Sequence, residues 1–343
     1  MTHSKVQRNS SIELLRIIAI LGVIILHYNG IGFNSVKKGS VNHFYMFLTE
    51  NIFVCSVNVF IIISAYFLCM TEKRNIMKVV ELIFQTILFR MIIYIISVLN
   101  GNNIFSIKDF AYQLLPVNYF VILYCALYII SPYINIIFKN LSKKEFQKLL
   151  IIAISLFSIW TFLVDVLENI SGYKFAGLST VGIDGSQSGY TIVNFILLYL
   201  VGAYIKIHNI NIHKNKLKLI ILFINVILYI NSISEFILDL PLVRTWSYNN
   251  PLLIIMASVI VMYFIQTDIN SKIINEFARS TFTCYLVHRF FLDYILINKS
   301  VNSNIWYLII HQIICAVIIY LISYLIYKCY SLCTNFIFTK SSV

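Results

Sequence analysis

Two side chains in the first apolar stretch, Arg16 and His27, offer the most direct chemistry in this sequence. The stretch reads SSIELLRIIAILGVIILH from Ser10 to His27. An ionisable group in a membrane-length segment is expensive in hydrocarbon, so it usually lines a polar path or meets a partner. Arg16 and His27 are eleven residues apart, and eleven steps of about 100° close three turns plus about 20°. Both side chains therefore leave one helix face, roughly 16 Å apart along the axis. A guanidinium offers a donor fork to an anion such as phosphate. An imidazole is the usual general base near neutral pH and could take a proton from a hydroxyl. The spacing also admits a plainer arrangement, in which Arg16 snorkels or pairs with Glu13 at i,i+3 and His27 is a hydrogen-bonded packing residue.

The elements that position these residues must be membrane helices. The 343 residues are 59% apolar and 12% charged, with a mean hydropathy of +0.84, whereas about a quarter of residues are charged in soluble domains. The chain reads as an all-α, polytopic transmembrane bundle and, with no soluble stretch between its runs, as a single membrane domain over residues 1–343. A net charge of +12 would suggest nucleic acid in a soluble protein. Here the Lys and Arg lie between apolar runs, where they set topology, so no nucleic-acid partner is expected. The seven cysteines lie in or beside apolar segments without a C-x-x-C pair, which argues against a disulfide framework and against a zinc site. The first run lacks a small-residue cleavage site and is long enough to span, so it reads as a helix rather than a signal peptide.

Ser10-x-x-Glu13 reads as a capping box that starts the first helix near Ser11 and carries it to about Phe33. Nine apolar runs follow, at about Phe47 to Cys69, Ile76 to Val98, Tyr119 to Phe138, Leu149 to Glu168, Thr191 to Ile207, Leu217 to Ile233, Pro251 to Gln266, Phe277 to Ile297 and Ile305 to Phe336. Each is near the length that crosses a hydrocarbon core of about 30 Å, which gives about ten spans. With the N-terminus inside, the inner side holds seventeen Lys and Arg, including Lys5, Arg8 and Lys340. The outer side holds six, including Arg244, and the spans hold Arg16, Arg90 and Arg289. This asymmetry predicts cytoplasmic termini and a multi-pass place in the cell membrane. The richness in Lys and Ile suggests an AT-rich bacterial genome and hence a bacterial plasma membrane.

Outside the first run, several residues invite a role. Gly172 to Gly189 contains five of the eleven glycines and reads as a flexible external loop. Leu240 to Pro251 adds Arg244, Trp246 and Tyr248, aromatic faces that suit a sugar or anchor helices at the interface. Glu50, Asp165 and Glu168 lie near outer ends and are expected at the interface. Arg90 lies mid-span without a carboxylate at i±3 or i±4 and needs a partner from another helix or a polar cavity. His288 is followed by Arg289, with Asp293 four residues on, and reads either as a catalytic group or as packing beside a structural ion pair.

The Arg-x10-His pattern of Arg16 and His27 resembles that of the membrane-bound acyltransferase family 3, which includes surface-polysaccharide O-acetyltransferases. Asn58 to Leu68 (NVFIIISAYFL) is similar to the family's second-helix signature, in which an apolar run leads into Ser-Gly-Phe or Ser-Gly-Tyr, with Ala65 here in place of the glycine. Tyr119 to Pro132 resembles its fourth segment, with a central Tyr124 and a Ser-Pro end. Ser280 to His288 resembles its late Tyr-Leu-x-His signature. Four matches in order, with about ten spans, extend the resemblance over essentially the whole chain.

The resemblance implies acyl transfer, usually of acetyl, from cytoplasmic acetyl-CoA or another acyl-CoA to a hydroxyl of a cell-surface or exported carbohydrate. The acyl-CoA would be a substrate, with no permanently bound cofactor and no metal. Membrane lipids would surround the protein, with glycan-biosynthesis proteins as further partners. His27 maps onto the family's catalytic histidine, as general base or transient acyl carrier, and Arg16 onto the arginine that engages the donor. Arg74, Ser64 and Tyr66 are candidate donor contacts, although small and hydroxyl side chains also mediate helix packing. Tyr124, His288 and Arg90 are candidate supporting residues. Two other readings compete: a transporter or flippase for a glycan precursor or small solute, in which Arg and His mark a substrate or proton path, and a purely structural membrane partner. The first lacks repeat symmetry, and the second leaves Arg16, His27, Arg90 and His288 without a purpose.

Overall fold

A computed structural model describes residues 9–240 and 245–338, which form helices joined by short connections, with no strand among them. Lys5, Arg8, Arg244 and Lys340 lie outside the described residues. Helix α1 (Ser10–Gly32) begins one residue earlier than the capping-box reading predicts. Asn9 is its cap, its side chain accepting from the Ser11 and Ile12 amides. The Ser10 and Ser11 hydroxyls turn instead to the segment before Lys272, where they accept from the Ser271 and Ile269 amides, and Glu13 faces Arg16 at 3.3 Å. A helix that is apolar on every side belongs in an interior. Ile12, Leu15, Ile20, Val23 and Ile24 of α1 are all nearly inaccessible, and α1 packs against the helices Val41–Phe53, Ser56–Leu68 and Pro251–Ile265 and those from Lys272 onward.

The second run is broken. It forms α2 (Val41–Phe53) and α3 (Ser56–Leu68), with Val54 and Cys55 between them. Next come α4 (Ile76–Leu99), the short α5 (Ile107–Gln113) and α6 (Tyr119–Asn140), which contains Pro132. The fifth run is α7 (Lys143–Ile154) and α8 (Thr161–Ser171), joined through a wide π turn over Ser155–Trp160. After α9 (Ile192–Ile207), α10 (Lys214–Ile237) and α11 (Pro251–Ile265), the chain makes α12 (Lys272–Phe277), α13 (Thr281–Leu292), α14 (Ile297–Val301) and α15 (Ile305–Phe338). Seven helices among the described residues, counting α2 with α3 and α7 with α8 as one each, are long and apolar enough to cross a membrane. Helices α9 and α11 are apolar but shorter, and α13 has twelve residues. The chain is a helical membrane protein.

Close approach of helices depends on small residues where no hydrophobic effect drives association. A Cβ on Gly202 of α9 would stand 2.6 Å from both the Ala65 Cβ and the Ile62 carbonyl oxygen of α3. At this crossing the glycine comes from α9, and Ala65 of α3 packs directly against it. The 172–189 connection also departs from expectation, because it is pinned rather than loose. Asp165 accepts from the Ser186 amide at 3.1 Å, Glu168 accepts from the Phe175 amide at 2.9 Å, and the Trp160 indole donates to the Leu178 carbonyl at 2.9 Å. Asp165 and Glu168 thus hold this loop down, which is a more specific task than the interfacial place expected of them.

Candidate functional site

At the end of α1 away from the chain's N-terminus lies a cavity of about 410 Å³ that contains His27. Glu50 of α2 lines it as well, and Tyr119, Tyr190, Trp246 and Tyr248 supply aromatic walls. Tyr190 packs edge-on to Tyr119 and to Tyr248, with ring centroids 4.6 and 5.0 Å apart. Tyr190 and Tyr248 come from the two connections before α9 and α11, which are tied together by the Tyr248 amide donating to the Ser188 carbonyl at 2.9 Å. Burial pushes both phenols up from their ordinary range, so at neutral pH they keep their O–H groups. Asn58 of α3 donates to the Tyr248 carbonyl at 2.9 Å, and the Trp246 indole donates to Asn51 at 2.8 Å. Tyr248 and Trp246 are thereby fixed to α3 and to α2, the helix that carries Glu50.

Glu50 is held by a buried polar chain. Asn29, fully enclosed, donates through Nδ2 to Glu50 Oε2 at 2.8 Å and to Thr49 Oγ1 at 3.0 Å. Its Oδ1 accepts from Gln312 Nε2 at 2.8 Å, and Gln312 in turn accepts from the Tyr45 hydroxyl at 2.8 Å. Sequence reasoning set Glu50 at the interface because it stands early in its run. The structure instead puts this carboxylate in the cavity that contains His27. The signal was present, since Glu50 is an ionisable residue in an apolar segment just as Arg16 and His27 are.

His27 meets two groups from α13. Arg289 Nη1 lies 3.4 Å from His27 Nδ1, and a guanidinium only donates, so Nδ1 is the acceptor and the neutral ring carries its proton on Nε2. The His288 ring stands 4.9 Å from the His27 ring, centroid to centroid. His288 is buried, and its Nδ1 lies 3.0 Å from the Cys284 carbonyl. A carbonyl only accepts, so the His288 proton is on Nδ1. Its Nε2 is buried without a hydrogen-bond partner among the described residues. The late signature thus contributes a histidine beside His27, together with the Arg289–Asp293 pair that its spacing suggested, 3.6 Å apart.

Arg16 lies toward the other end of α1, in a narrower cavity of about 230 Å³ that also contains Ser64 and Tyr124. The predicted pairing with Glu13 is present at 3.3 Å, yet Arg16 still lines the cavity. Val23, Val57 and Tyr285 line both this cavity and the one around His27. Tyr285 is held by its hydroxyl donating to Asn118 at 3.0 Å. Leu82, Tyr124 and Phe282 in turn line both the Arg16 cavity and another of about 350 Å³, which carries Lys78 and Arg279 together with the carboxyl group of Glu81. A file of cavities with common walls therefore connects cationic Lys78 and Arg279, through Arg16, to His27. Lys78 and Arg279 entered the sequence reading only as topology charges.

The remaining candidates line none of these three cavities. Tyr66 lies under the Lys206 ammonium, 4.7 Å from its ring centroid. Arg74 lines an adjoining cavity of about 710 Å³ with Lys73, Lys139 and Tyr128, the last of which also lines the cavity of Lys78 and Arg279. Its N–H groups are directed to Ser131 Oγ at 2.8 Å, the Thr71 carbonyl at 3.1 Å, the Leu68 carbonyl at 3.0 Å and the Tyr199 hydroxyl at 3.5 Å. It thereby satisfies the open carbonyls at the end of α3 and ties them to α6. In the same cavity Lys139 holds the Glu72 carboxyl below the usual carboxylate range. Arg90 donates to the Val117 carbonyl at 3.1 Å, stacks on Tyr112 and meets no carboxylate among the described residues.

A family model described as an acyltransferase domain matches residues 9–328, from the residue that caps α1 to within α15. No curated protein and no solved structure matches the chain.

Proposed function

The chain belongs to acyltransferase family 3, whose model spans residues 9–328, and on that premise we propose that it moves an acetyl group from acetyl-CoA to a hydroxyl of a carbohydrate across the thickness of the membrane. The observation that carries this reading is the file of cavities with common walls from Lys78 and Arg279 through Arg16 to His27. In this reading the chain crosses the membrane about ten times with both termini in the cytoplasm. The CoA phosphates meet Lys78, Arg279 and Arg16 from that side, and the pantetheine arm extends past Ser64 and Tyr124 toward Val23, Val57 and Tyr285. Arg74 supports the wall of the neighbouring cavity, because its hydrogen bonds are directed to α3 and α6.

The acceptor enters the aromatic cavity from the opposite side, its ring against Tyr190, Tyr248 and Trp246. His27 takes the proton of the acceptor hydroxyl as that oxygen bonds to the thioester carbonyl carbon. The tetrahedral intermediate collapses with cleavage of the carbon–sulfur bond, and the CoA thiolate takes the proton back from the imidazolium. Ester and free CoA thiol are the products. Glu50, fixed by Asn29, stabilises the imidazolium across the cavity or orients the acceptor hydroxyl.

Everted vesicles supplied with radiolabelled acetyl-CoA test the proposal. Wild-type protein should pass label to membrane or external glycan, whereas His27→Ala at equal abundance should lose about 10²–10⁴ in rate. Full transfer by His27→Ala would refute the role of His27. Movement of an intact solute without label transfer would favour a transporter.

A further inference from the structure

A further cavity, of about 390 Å³, lies between α4, the connection that enters α6, and α13, and is reached by the arginine that contacts His27. Two arginines line it, Arg90 and Arg289, opposed by the single carboxylate of Asp293. Arg90 uses its Nη1 on the Val117 carbonyl, and its buried Nε has no hydrogen-bond partner among the described residues. An unpaired donor of this kind, buried on a charged group, is costly unless something accepts from it. Arg289 is loosely held. Its contacts to Asp293 and to His27 are 3.6 and 3.4 Å, both longer than good charge-assisted hydrogen bonds. The guanidinium is also half exposed.

The surroundings indicate what would bring an anion here. The segment that enters, forms and leaves α5 presents Ile104, Phe105, Ile107, Leu114 and Leu115 outward, which suits a short helix lying at headgroup depth. From the same segment Tyr112 stacks on Arg90. The wall toward the aromatic cavity is thin. Arg289 lines this cavity while touching His27, and Asn118 lines it while accepting from Tyr285.

We propose that this cavity binds the phosphate of a lipid-carried acceptor between Arg90 and Arg289, placing the attached sugar at His27 and drawing Arg289 off the imidazole. The proposal rests on the acyl-transfer reading of His27 for its consequence, but not for the binding itself. Arg289 fixes the resting tautomer of His27, so its withdrawal frees the ring to offer a lone pair to the acceptor hydroxyl. An acceptor that arrives with its phosphate thus switches on the base that acts on it. Arg90 and Arg289 are positioning residues in this scheme.

The test is binding of a long-chain polyprenyl phosphate to full-length protein in nanodiscs of neutral phospholipid, with the corresponding polyprenol as reference. The phosphate should bind at least about tenfold more tightly than the alcohol, and Arg90→Gln or Arg289→Gln should each remove that preference, since charge-assisted pairs contribute on this scale. Arg90→Lys should restore part of it. Arg289 is half exposed, so its substitution tests the site even if an Arg90 variant folds poorly. His27→Ala should keep the preference for phosphate, at wild-type strength or tighter because no imidazole then competes for Arg289, while failing to transfer acyl groups, which separates failure of this proposal from failure of the catalytic one. Equal binding of phosphate and alcohol would overturn the proposal, as would unchanged preference in both glutamine variants. Competition by phosphatidylglycerol as strong as that of the polyprenyl phosphate would also overturn it, because the site would then take any anionic headgroup.

Discussion

Gly22 of α1 faces the break between α2 and α3, and a methyl group there should act on the cavity that holds His27 without touching it. A Cβ at Gly22 would stand 2.6 Å from Phe53 Cδ1, 3.0 Å from Phe53 Cγ and 2.8 Å from Ser56 Oγ. Ordinary contact begins at 3.4 Å, so the Phe53 ring must retreat by 3.4 − 2.6, or about 0.8 Å, and Ser56 by 3.4 − 2.8, or about 0.6 Å. Both residues flank Val54 and Cys55, and Glu50, Val54 and Val57 all line the cavity that holds His27. Overpacking of this kind costs about 1–3 kcal/mol, partly offset by up to about 1 kcal/mol of helix propensity gained on replacing glycine. A displacement near 1 Å at a reacting geometry can cost about 10²-fold in rate. Gly22→Ala should therefore lower transfer from labelled acetyl-CoA by roughly 10²-fold while the melting temperature falls only modestly. Gly30, on the same helix, has nothing within 4 Å of an added Cβ, so Gly30→Ala should retain full transfer and equal or higher stability. Wild-type transfer by Gly22→Ala, or equal damage from Gly30→Ala, would refute the claim that the α2–α3 break sets the site.

Two further substitutions separate chemistry from support. Glu50→Gln keeps the shape of the side chain and an acceptor for Asn29, so detergent-solubilised protein should melt within about 1 kcal/mol of wild type. Its turnover should fall about 10²-fold or more if the carboxylate acts on His27 or the acceptor, and wild-type turnover would assign Glu50 to packing alone. Arg74→Lys loses the fork that joins α3 to α6, which should destabilise the fold by about 2–3 kcal/mol. The KM for acetyl-CoA should stay within about twofold in this variant; a tenfold rise, equivalent to about 1.4 kcal/mol, would return Arg74 to the donor site.

What was legible in the sequence was periodic or local. All ten apolar runs contain helix, because length and hydropathy alone decide whether a segment can satisfy its backbone away from water. Their internal breaks were not readable. Neither Val54–Cys55 nor the π turn over Ser155–Trp160 carries a proline or glycine to announce it, and each serves a contact made elsewhere, such as the Ser158 hydroxyl donating to the Asn249 carbonyl at 2.6 Å. The cap of α1 shows the limit at close range. Ser10 and Glu13 fit the local motif, but serines that can bond across 250 residues of chain to Ile269 and Ser271 leave the cap to Asn9.

For the site, α1 was readable because a helix turns eleven residues of spacing into a shared face, and Arg16 and His27 do line adjoining cavities. The aromatic walls were only half readable. Tyr248 and Trp246 were noticed as a pair, but Tyr119 and Tyr190 join them through loop packing that no period encodes. His288 and Arg289 mark the deepest limit. Their spacing to Asp293 correctly suggested an ion pair, and a structural ion pair is ordinarily a reason to withdraw a residue from the catalytic list. At 3.6 Å the pair is too long to hold Arg289 firmly. The same guanidinium reaches His27 at 3.4 Å and lines a cavity with Arg90. One arginine can thus form an ion pair with its neighbour in sequence and still meet a histidine and a cavity through its neighbours in space. Only the distances separate the two: a pair held near 2.8 Å would have fixed Arg289 in place, whereas a loose one leaves it free to respond to an anion.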